Sequence, residues 1–527
     1  MPSDQNDAGP TAGNEPALGA DQPSWNFKLR DGGKNLKARS VRSGAVTIAS
    51  QGAQFGLRTI STVVLARLLT PADFGIMAMV TAVTAFARIF NEMGLSAATV
   101  QQKNLTGIQV NALFWLNVLA GVVLTVAMAA SAPVLVWFYH EPAVFWVTMA
   151  LSATFLVTNL GNQHSALLTR EMRFRALAVI QVAGAGAGVV ASVIAAGYGL
   201  GYWSIVVGTW VTTFVSVVLQ WGYSSWRPGL PAGLGGIGAL FHFGANVTGF
   251  EVANYFSRNL DNVLIGRVCG AEPLGLYSRA YSLLMLPITN LRNPLNAVAY
   301  PALSRLQGDA ARFRAYYGKY VALLGFASMP LAAFLFVCSD NVIQLVLGSR
   351  WAGASSIFQI LAIVGFLQPV TSTRGLVMLA CGFSRRYLWL GVFNSAVTAA
   401  AFGIGVIWGP IGVAAAYVIV SYLIQWPNFH YAFKGSPIRT ADFFRAIAKS
   451  GVASISACAL TLLQKYLTAG NSNLMAVSVG GTIFALSYLV VFWVLPGGRG
   501  ELREYFSHLK LIVAPKLKGA ASAGAPE

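Results

Sequence analysis

Residues 51–77 read QGAQFGLRTISTVVLARLLTPADFGIM, and residues 251–277 read EVANYFSRNLDNVLIGRVCGAEPLGLY. Set against each other at an offset of 200, without a gap, they place Arg58 on Arg258, Ala66-Arg67 on Gly266-Arg267, and Gly75-Ile76-Met77 on Gly275-Leu276-Tyr277. Polar positions correspond as well: Gln51 with Glu251, Gln54 with Asn254, Ser61 with Asp261, and Thr62 with Asn262. At about 100° per residue, positions 51, 54, 58, 61 and 62 fall within roughly 100° of arc. Each copy is therefore expected to be a helix with one polar stripe on an otherwise apolar cylinder, and the repeat predicts two lobes of like construction.

The chain around the repeat is 527 residues long, 55% hydrophobic and only 10% charged, with a mean hydropathy of +0.60. That is too apolar for a soluble surface. Apolar runs of about 20 residues, enough to cross a bilayer as helices, recur from residue 44 to residue 495. Fourteen are expected, among them 44–69, 72–93, 240–266, 273–297, 386–408 and 411–433. A β-barrel would alternate apolar and polar residues, whereas VLAGVVLTVAMAASAPVLVWF (118–138) is apolar on every face. Helices are then the remaining way to span. The fold class is an all-α polytopic membrane protein of two pseudo-symmetric six-helix lobes, 44–223 and 237–433, joined by a linker at 224–236 and followed by two helices in 442–495. The hairpin sequences GLGYW (199–203) and GPIGV (409–413) precede Gln220-Trp221 and Gln425-Trp426 at the corresponding ends of the two lobes.

The net charge of +18 raises nucleic acid as a partner, but where the charge lies excludes it. With the N-terminus inside, fifteen Lys and Arg residues fall on cytoplasmic connections, against Arg67, Arg267, Arg350 and Lys465 on the other side. This follows the positive-inside rule and places both termini in the cytoplasm. The polar segment 1–43 has no apolar core of the signal-peptide kind; with 496–527 it is expected to be a disordered basic tail. Cys269, Cys338, Cys381 and Cys458 lack metal-ligand spacing and are expected to be packing residues. GAGAG (184–188) sets Gly184 and Gly188 four apart, a spacing for close helix packing. Pro133, Pro287, Pro294, Pro330 and Pro369 are candidates to kink or break helices.

Six arginines fall within expected helices, Arg58, Arg88, Arg258, Arg279, Arg292 and Arg374, against three acids, Glu92, Glu251 and Asp261. A central arginine costs at least about 2.5–3.5 kcal/mol in a bilayer, so such residues face protein or a wet cavity. The excess of positive charge predicts a cationic cavity between the lobes for an anionic substrate, and the arginine fork suits phosphate. Arg58, Arg258 and Arg374 are the candidate binding residues, Arg88 and Arg292 entrance candidates, and Gln51, Gln54, Asn254 and Asn262 the polar stripe. Asp261 and Glu251 are either coupling-ion sites for H⁺ or Na⁺ or, for Asp261, an ion-pair partner of Arg258. No metal site or other cofactor is expected.

LARLLTPADFGIMAMV (65–80), NEMGLSAATVQQKN (91–104), NLDNVLIGRVCGAEPLGLYSRAYSLLMLP (259–287) and AYPALSRLQGD (299–309) together resemble the Wzx-type polysaccharide transporter family. That family lies within the MOP exporter superfamily, and the likeness is to its longer branch of colanic-acid and succinoglycan exporters. The resemblance implies a flippase that moves undecaprenyl-pyrophosphate-linked oligosaccharide across the bacterial inner membrane by alternating access, for exopolysaccharide, capsule or O-antigen. It implies membrane lipids, a polysaccharide polymerase and a co-polymerase as partners, with cavity arginines on the pyrophosphate or on acidic sugars. Two rivals share the fold: a MurJ-like lipid II flippase, and a MATE-like antiporter, whose organic cations would want more acid than arginine. A polymerase or glycosyltransferase would need a catalytic constellation, and no interhelical loop holds an acidic pair, so the chain is read as a non-enzyme.

Overall fold

The computed structural model describes residues 36–91, 99–100, 105–230, 259–467, 473–505 and 507, and among them there are helices and turns but no strand. The first half contains α1 (Leu36–Leu68), α2 (Pro71–Asn91), α3 (Gly107–Tyr139), α4 (Ala143–Arg170), α5 (Phe174–Gly197) and α6 (Trp203–Tyr223). The second contains α7 (259–269), α8 (Ala271–Arg305), α9 (Ala310–Val337), the short α10 (Ser339–Val346), α11 (Ala354–Thr371) and α12 (Thr373–Ala380). It continues through α13 (Ser384–Gly405), α14 (Gly409–Leu423) and α15 (Gln425–Phe433) to α16 (Thr440–Leu467) and α17 (Asn473–Val494). A last helix, α18, spans 498–505. The helix α1 starts before residue 44, so Lys37, Arg39 and Arg42 lie on its first turns.

Among the described residues ten helical stretches are long and apolar enough to cross a membrane. Nine coincide with expected runs, and the tenth, Ser384–Leu423, contains 386–408 and the first part, 411–423, of the run expected at 411–433. It folds back on itself: a turn of 3₁₀ helix at Val406–Trp408 leads into Gly409 at φ +71°, and a Cβ on Gly412 would overlap the Gly405 carbonyl. Of the other expected runs, 44–69 and 273–297 became α1 and α8, and their polar residues keep both out of that set; 240–258 lies outside the described residues. The GAGAG spacing acts as expected. Cβ atoms on Gly184 and Gly188 would overlap Ser216 and Thr212, so α5 and α6 are in backbone contact.

Four of the five prolines expected to kink or break helices do not break theirs. Pro133, Pro287, Pro294 and Pro330 all lie inside continuous helices, α3, α8 and α9. The exception is Pro369, just before Ser372 separates α11 from α12. In a helix surrounded by other helices the freed carbonyl finds another donor, so proline need not end it.

The largest core cluster is shared by both halves of the chain, with Phe74, Met79 and Leu151 from the first and Tyr277, Trp351 and Phe358 from the second. Its centre is the crossing of α2 with α8. A Cβ on Gly75 would overlap the Ala271 carbonyl, and one on Gly275 the Pro71 carbonyl. These are matched positions at the 200-residue offset, so repeat mates meet each other. Arg279 lies 4.1 Å over the Phe74 ring, which sits edge-on to Trp351, and the Trp351 indole donates to the Ala66 carbonyl at 2.8 Å. Two further matched residues reach across the halves: Arg67 donates to the Leu345 carbonyl at 2.6 Å, and Arg267 meets the His140 ring. The four cysteines are unbridged.

The C-terminal segment expected to be a tail includes α18, whose Glu501 and Glu504 pair with Lys449 and Lys319 and whose Tyr505 packs on Phe326.

Candidate functional site

Two slots open between the halves of the chain, and the repeat relates them. The first, about 390 Å³, lies between α1 and α8 and is lined by Gln54, Phe55 and Arg58 against Tyr281, Met285 and Asn290. The second, about 340 Å³, lies between α7 and α2 and is lined by Leu260 and Val263 against Ala82, Val83 and Phe86, with Phe138 of α3 beside them. Subtracting or adding 200 carries one set of positions onto the other's helices. Their chemistry is opposite, one cationic and amide-lined, the other hydrocarbon except for Asn259 and Tyr139.

Arg58 is exposed in its slot, and among the described residues no carboxylate lies within ion-pair distance of it. Its helix provides the arrangement. Thr59 and Thr62 return their hydroxyls to the carbonyls of Phe55 and Arg58, and Gln54 donates to Gln181 of α5 at 3.0 Å. The stripe thus uses its small polar members on the helix itself and leaves the guanidinium to the slot. Gln51 is exposed on the same helix and lines neither slot.

Arg374 and Arg292 do not join Arg58. They line a separate cavity of about 260 Å³ enclosed by α8, α11, α13, α14 and the segments after them, all from the second half. Arg374 donates to Gln425 Oε1 at 2.9 Å and lies 5.9 Å from the centre of the Phe429 ring. Gln425 is tied in turn to the Ser421 carbonyl at 2.7 Å. The sequence expectation of one cavity shared by Arg58 and Arg374 therefore resolves into two. The reason is topological: Arg374 sits past the α11–α12 interruption, on a part of the chain that faces α15. Arg88 is exposed near the end of α2 and lines none of these three cavities. Arg258, Glu251 and Asn254 lie outside the described residues.

Asp261 is buried on α7, with the Tyr277 hydroxyl donating to one oxygen at 3.0 Å and the Asn262 main-chain N–H to the other at 2.8 Å. Both oxygens are occupied by donors, an arrangement suited to a carboxylate held by hydrogen bonds rather than by a cation. Among the described residues no cluster of three His, Cys, Asp or Glu side chains is placed to hold a metal ion. Sequence reasoning missed Gln425 as the partner of Arg374, and Tyr281 and Asn290 as the far wall of the Arg58 slot. A helical-face analysis of α8 from Tyr281, through 285 to 289, would have found the latter.

Residues 64–356, more than half of the chain, match the family described as polysaccharide biosynthesis protein. The lipopolysaccharide biosynthesis protein WzxC of Escherichia coli is 27% identical over 70% of this chain and 75% of its own length. The teichuronic acid biosynthesis protein TuaB of Bacillus subtilis is 27% identical over 77% and 86%. The succinoglycan biosynthesis transport protein ExoT of Rhizobium meliloti is 24% identical over 82% and 87%. Among solved structures, a lipid II flippase MurJ in an inward closed conformation superposes with a TM-score of 0.67 at 14% identity, covering 86% of this chain and 98% of that one. An inward-facing MATE family multidrug transporter of the MOP superfamily gives 0.59 at 15% identity, covering 72% and 94%. These likenesses show the fold, and they agree with the helical two-half architecture.

Proposed function

The chain belongs to the polysaccharide biosynthesis protein family, and from that premise we propose that it is a flippase for undecaprenyl-pyrophosphate-linked oligosaccharide in a bacterial inner membrane. The single observation that carries the reading is Arg58, a guanidinium without a described carboxylate partner, on a helix expected from the sequence to cross the membrane and set in a slot between the two halves. Leaving such a charge uncompensated is costly unless an anion or water fills the slot. The pyrophosphate of a lipid-linked sugar is an anion that arrives inside the membrane. Its phosphate oxygens match the arginine fork, with Gln54 and Asn290 as neighbouring amide donors.

In this reading the head group passes between the lobes, 44–223 and 237–433, while they rock about the α2–α8 crossing and the polyprenyl tail stays in lipid. Arg258 is the repeat mate of Arg58 and is proposed for the same role; Arg88 keeps its proposed place at an entrance. Both termini are proposed to be cytoplasmic, the activity to be transport without catalysis, and a polymerase with its co-polymerase to act on the product. H⁺ is proposed ahead of Na⁺ for any ion coupling at Asp261, because both carboxylate oxygens already accept hydrogen bonds. An organic-cation antiporter is disfavoured by the lining of both slots, which among the described residues holds an arginine and no acid.

The test is export of polymer by Arg58→Ala in a strain lacking its own copy. Loss of export with normal membrane abundance is expected, with Arg58→Lys recovering only part. Unchanged export by Arg58→Ala sinks the proposed role of this slot.

A further inference from the structure

The cavity of Arg292 and Arg374 is walled, among the described residues, by helices of the second half alone. Among the described residues two guanidiniums line it and no carboxylate does. Many of its other polar groups are engaged: the hydroxyls of Thr371, Ser372 and Tyr422 donate to the carbonyls of Gln368, Pro369 and Ile363. Asn394 receives a hydrogen bond from Asn428 on its side-chain oxygen at 2.8 Å, which leaves the amide NH₂ as the group it offers. Arg374, Asn394, Thr398 and Ser421 thus present donors to a space of about 260 Å³, against about 30 Å³ for a water in the liquid.

One lining atom has the opposite polarity. Gln368 Oε1 is buried without a hydrogen-bond partner while its amide nitrogen faces the Tyr417 hydroxyl at 3.5 Å. An unmet buried acceptor wants a proton donor. A ring of donors around one lone acceptor is complementary to an anion that still carries an O–H. Chloride and sulfate have none at neutral pH; free phosphate does as monoanion or dianion, and a phosphate monoester does as its monoanion.

We propose that this cavity is a binding site for a protonated phosphate group, distinct from the slot of Arg58 and built entirely within the second half. Arg374, aligned by Gln425, is its bidentate ligand, Arg292 supplies the second positive charge, and Gln368 accepts the phosphate proton. The site goes beyond the transport reading and does not depend on it.

The experiment uses the full chain purified in detergent and follows the thermal unfolding midpoint at fixed ionic strength, with inorganic phosphate, sulfate or chloride added. Phosphate is expected to raise the midpoint in a saturable way. Sulfate should bind about tenfold more weakly, the value of one hydrogen bond to a charged group. The phosphate shift should survive in Arg58→Gln and vanish in Arg374→Gln; Gln368→Leu should bring phosphate and sulfate together. If Arg374→Gln is not recovered folded, Thr398→Val should weaken the same shift. A response equal for phosphate and sulfate in the unmodified protein, one that persists in Arg374→Gln and Thr398→Val, or none at all overturns the proposal. Farnesyl monophosphate, run beside inorganic phosphate, identifies the source: tighter binding of the ester assigns the site to a prenyl phosphate, equal binding to free phosphate, and either supports the site.

Discussion

At the scale of single residues, the charged groups divide by what holds them. Asp261 is buried and hydrogen-bonded at both oxygens, with the buried Tyr277 beside it. Arg279 spreads over an aromatic face, and Arg58 has only its slot. Asp261→Asn and Tyr277→Phe each break the same 3.0 Å bond, so each is expected to cost about 1–3 kcal/mol. The double variant should cost less than the sum, because the second change has no bond left to remove. Chemical unfolding of the three variants in micelles checks this; strict additivity would mean that the pair does not act as a unit. The sequence placed Asp261 inside the membrane and offered Arg258, which lies outside the described residues, as its partner; it did not show Tyr277, because charge complementarity is visible in a string and a tyrosine sixteen residues away is not.

At the scale of helices, the two glycines of GAGAG that face α6 are distinct from the one that does not. A Cβ on Gly188 would collide with Thr212 and the Gly208 carbonyl, whereas on Gly186 it would stand 3.9 Å from Leu57. Gly188→Ala is therefore expected to destabilise by about 1–3 kcal/mol through overpacking. Gly186→Ala should be neutral or stabilise by up to about 1 kcal/mol, as alanine does for glycine within a helix. Thermal melts of the two single variants measure the contrast. The fold was legible wherever an element's character is uniform along it: apolar runs gave helices, and glycines four apart gave a contact. It was not legible where a helix is mixed. The α1 segment carries the stripe and α8 has polar residues of its own, so neither is among the membrane-spanning stretches, α18 is held by Lys319, Lys449 and Phe326, and Pro287 and Pro294 sit within a continuous α8. The two cationic cavities were likewise merged in the sequence, since six arginines show their number and depth but not which walls they share.

At the scale of the molecule, the repeat forms a reciprocal latch. Arg67 ends α1 and reaches the Leu345 carbonyl of the other half; its mate Arg267 ends α7 and meets His140 of the first. His140 is held for this by its place at the end of α3, in a left-handed conformation at φ 56° that terminates the helix. Both bonds lie at the same end of the halves as the α2–α8 crossing, opposite the end that carries Arg305, Arg385 and Arg386. Separation of the halves at the latched end has to break both. Each involves an exposed arginine, so about 1 kcal/mol apiece is a reasonable scale, and together about 2 kcal/mol would change the population of a separated state roughly thirtyfold. The native Cys269, partly buried two residues beyond Arg267, reports on this opening. In a protein whose other three cysteines are serine, maleimide labelling of Cys269 in detergent is expected to accelerate several-fold in the Arg67→Ala, Arg267→Ala double variant and less in either single one. Equal labelling rates in the double variant and its parent would show that the glycine-packed crossing alone holds that end shut, with the arginines contributing nothing to it.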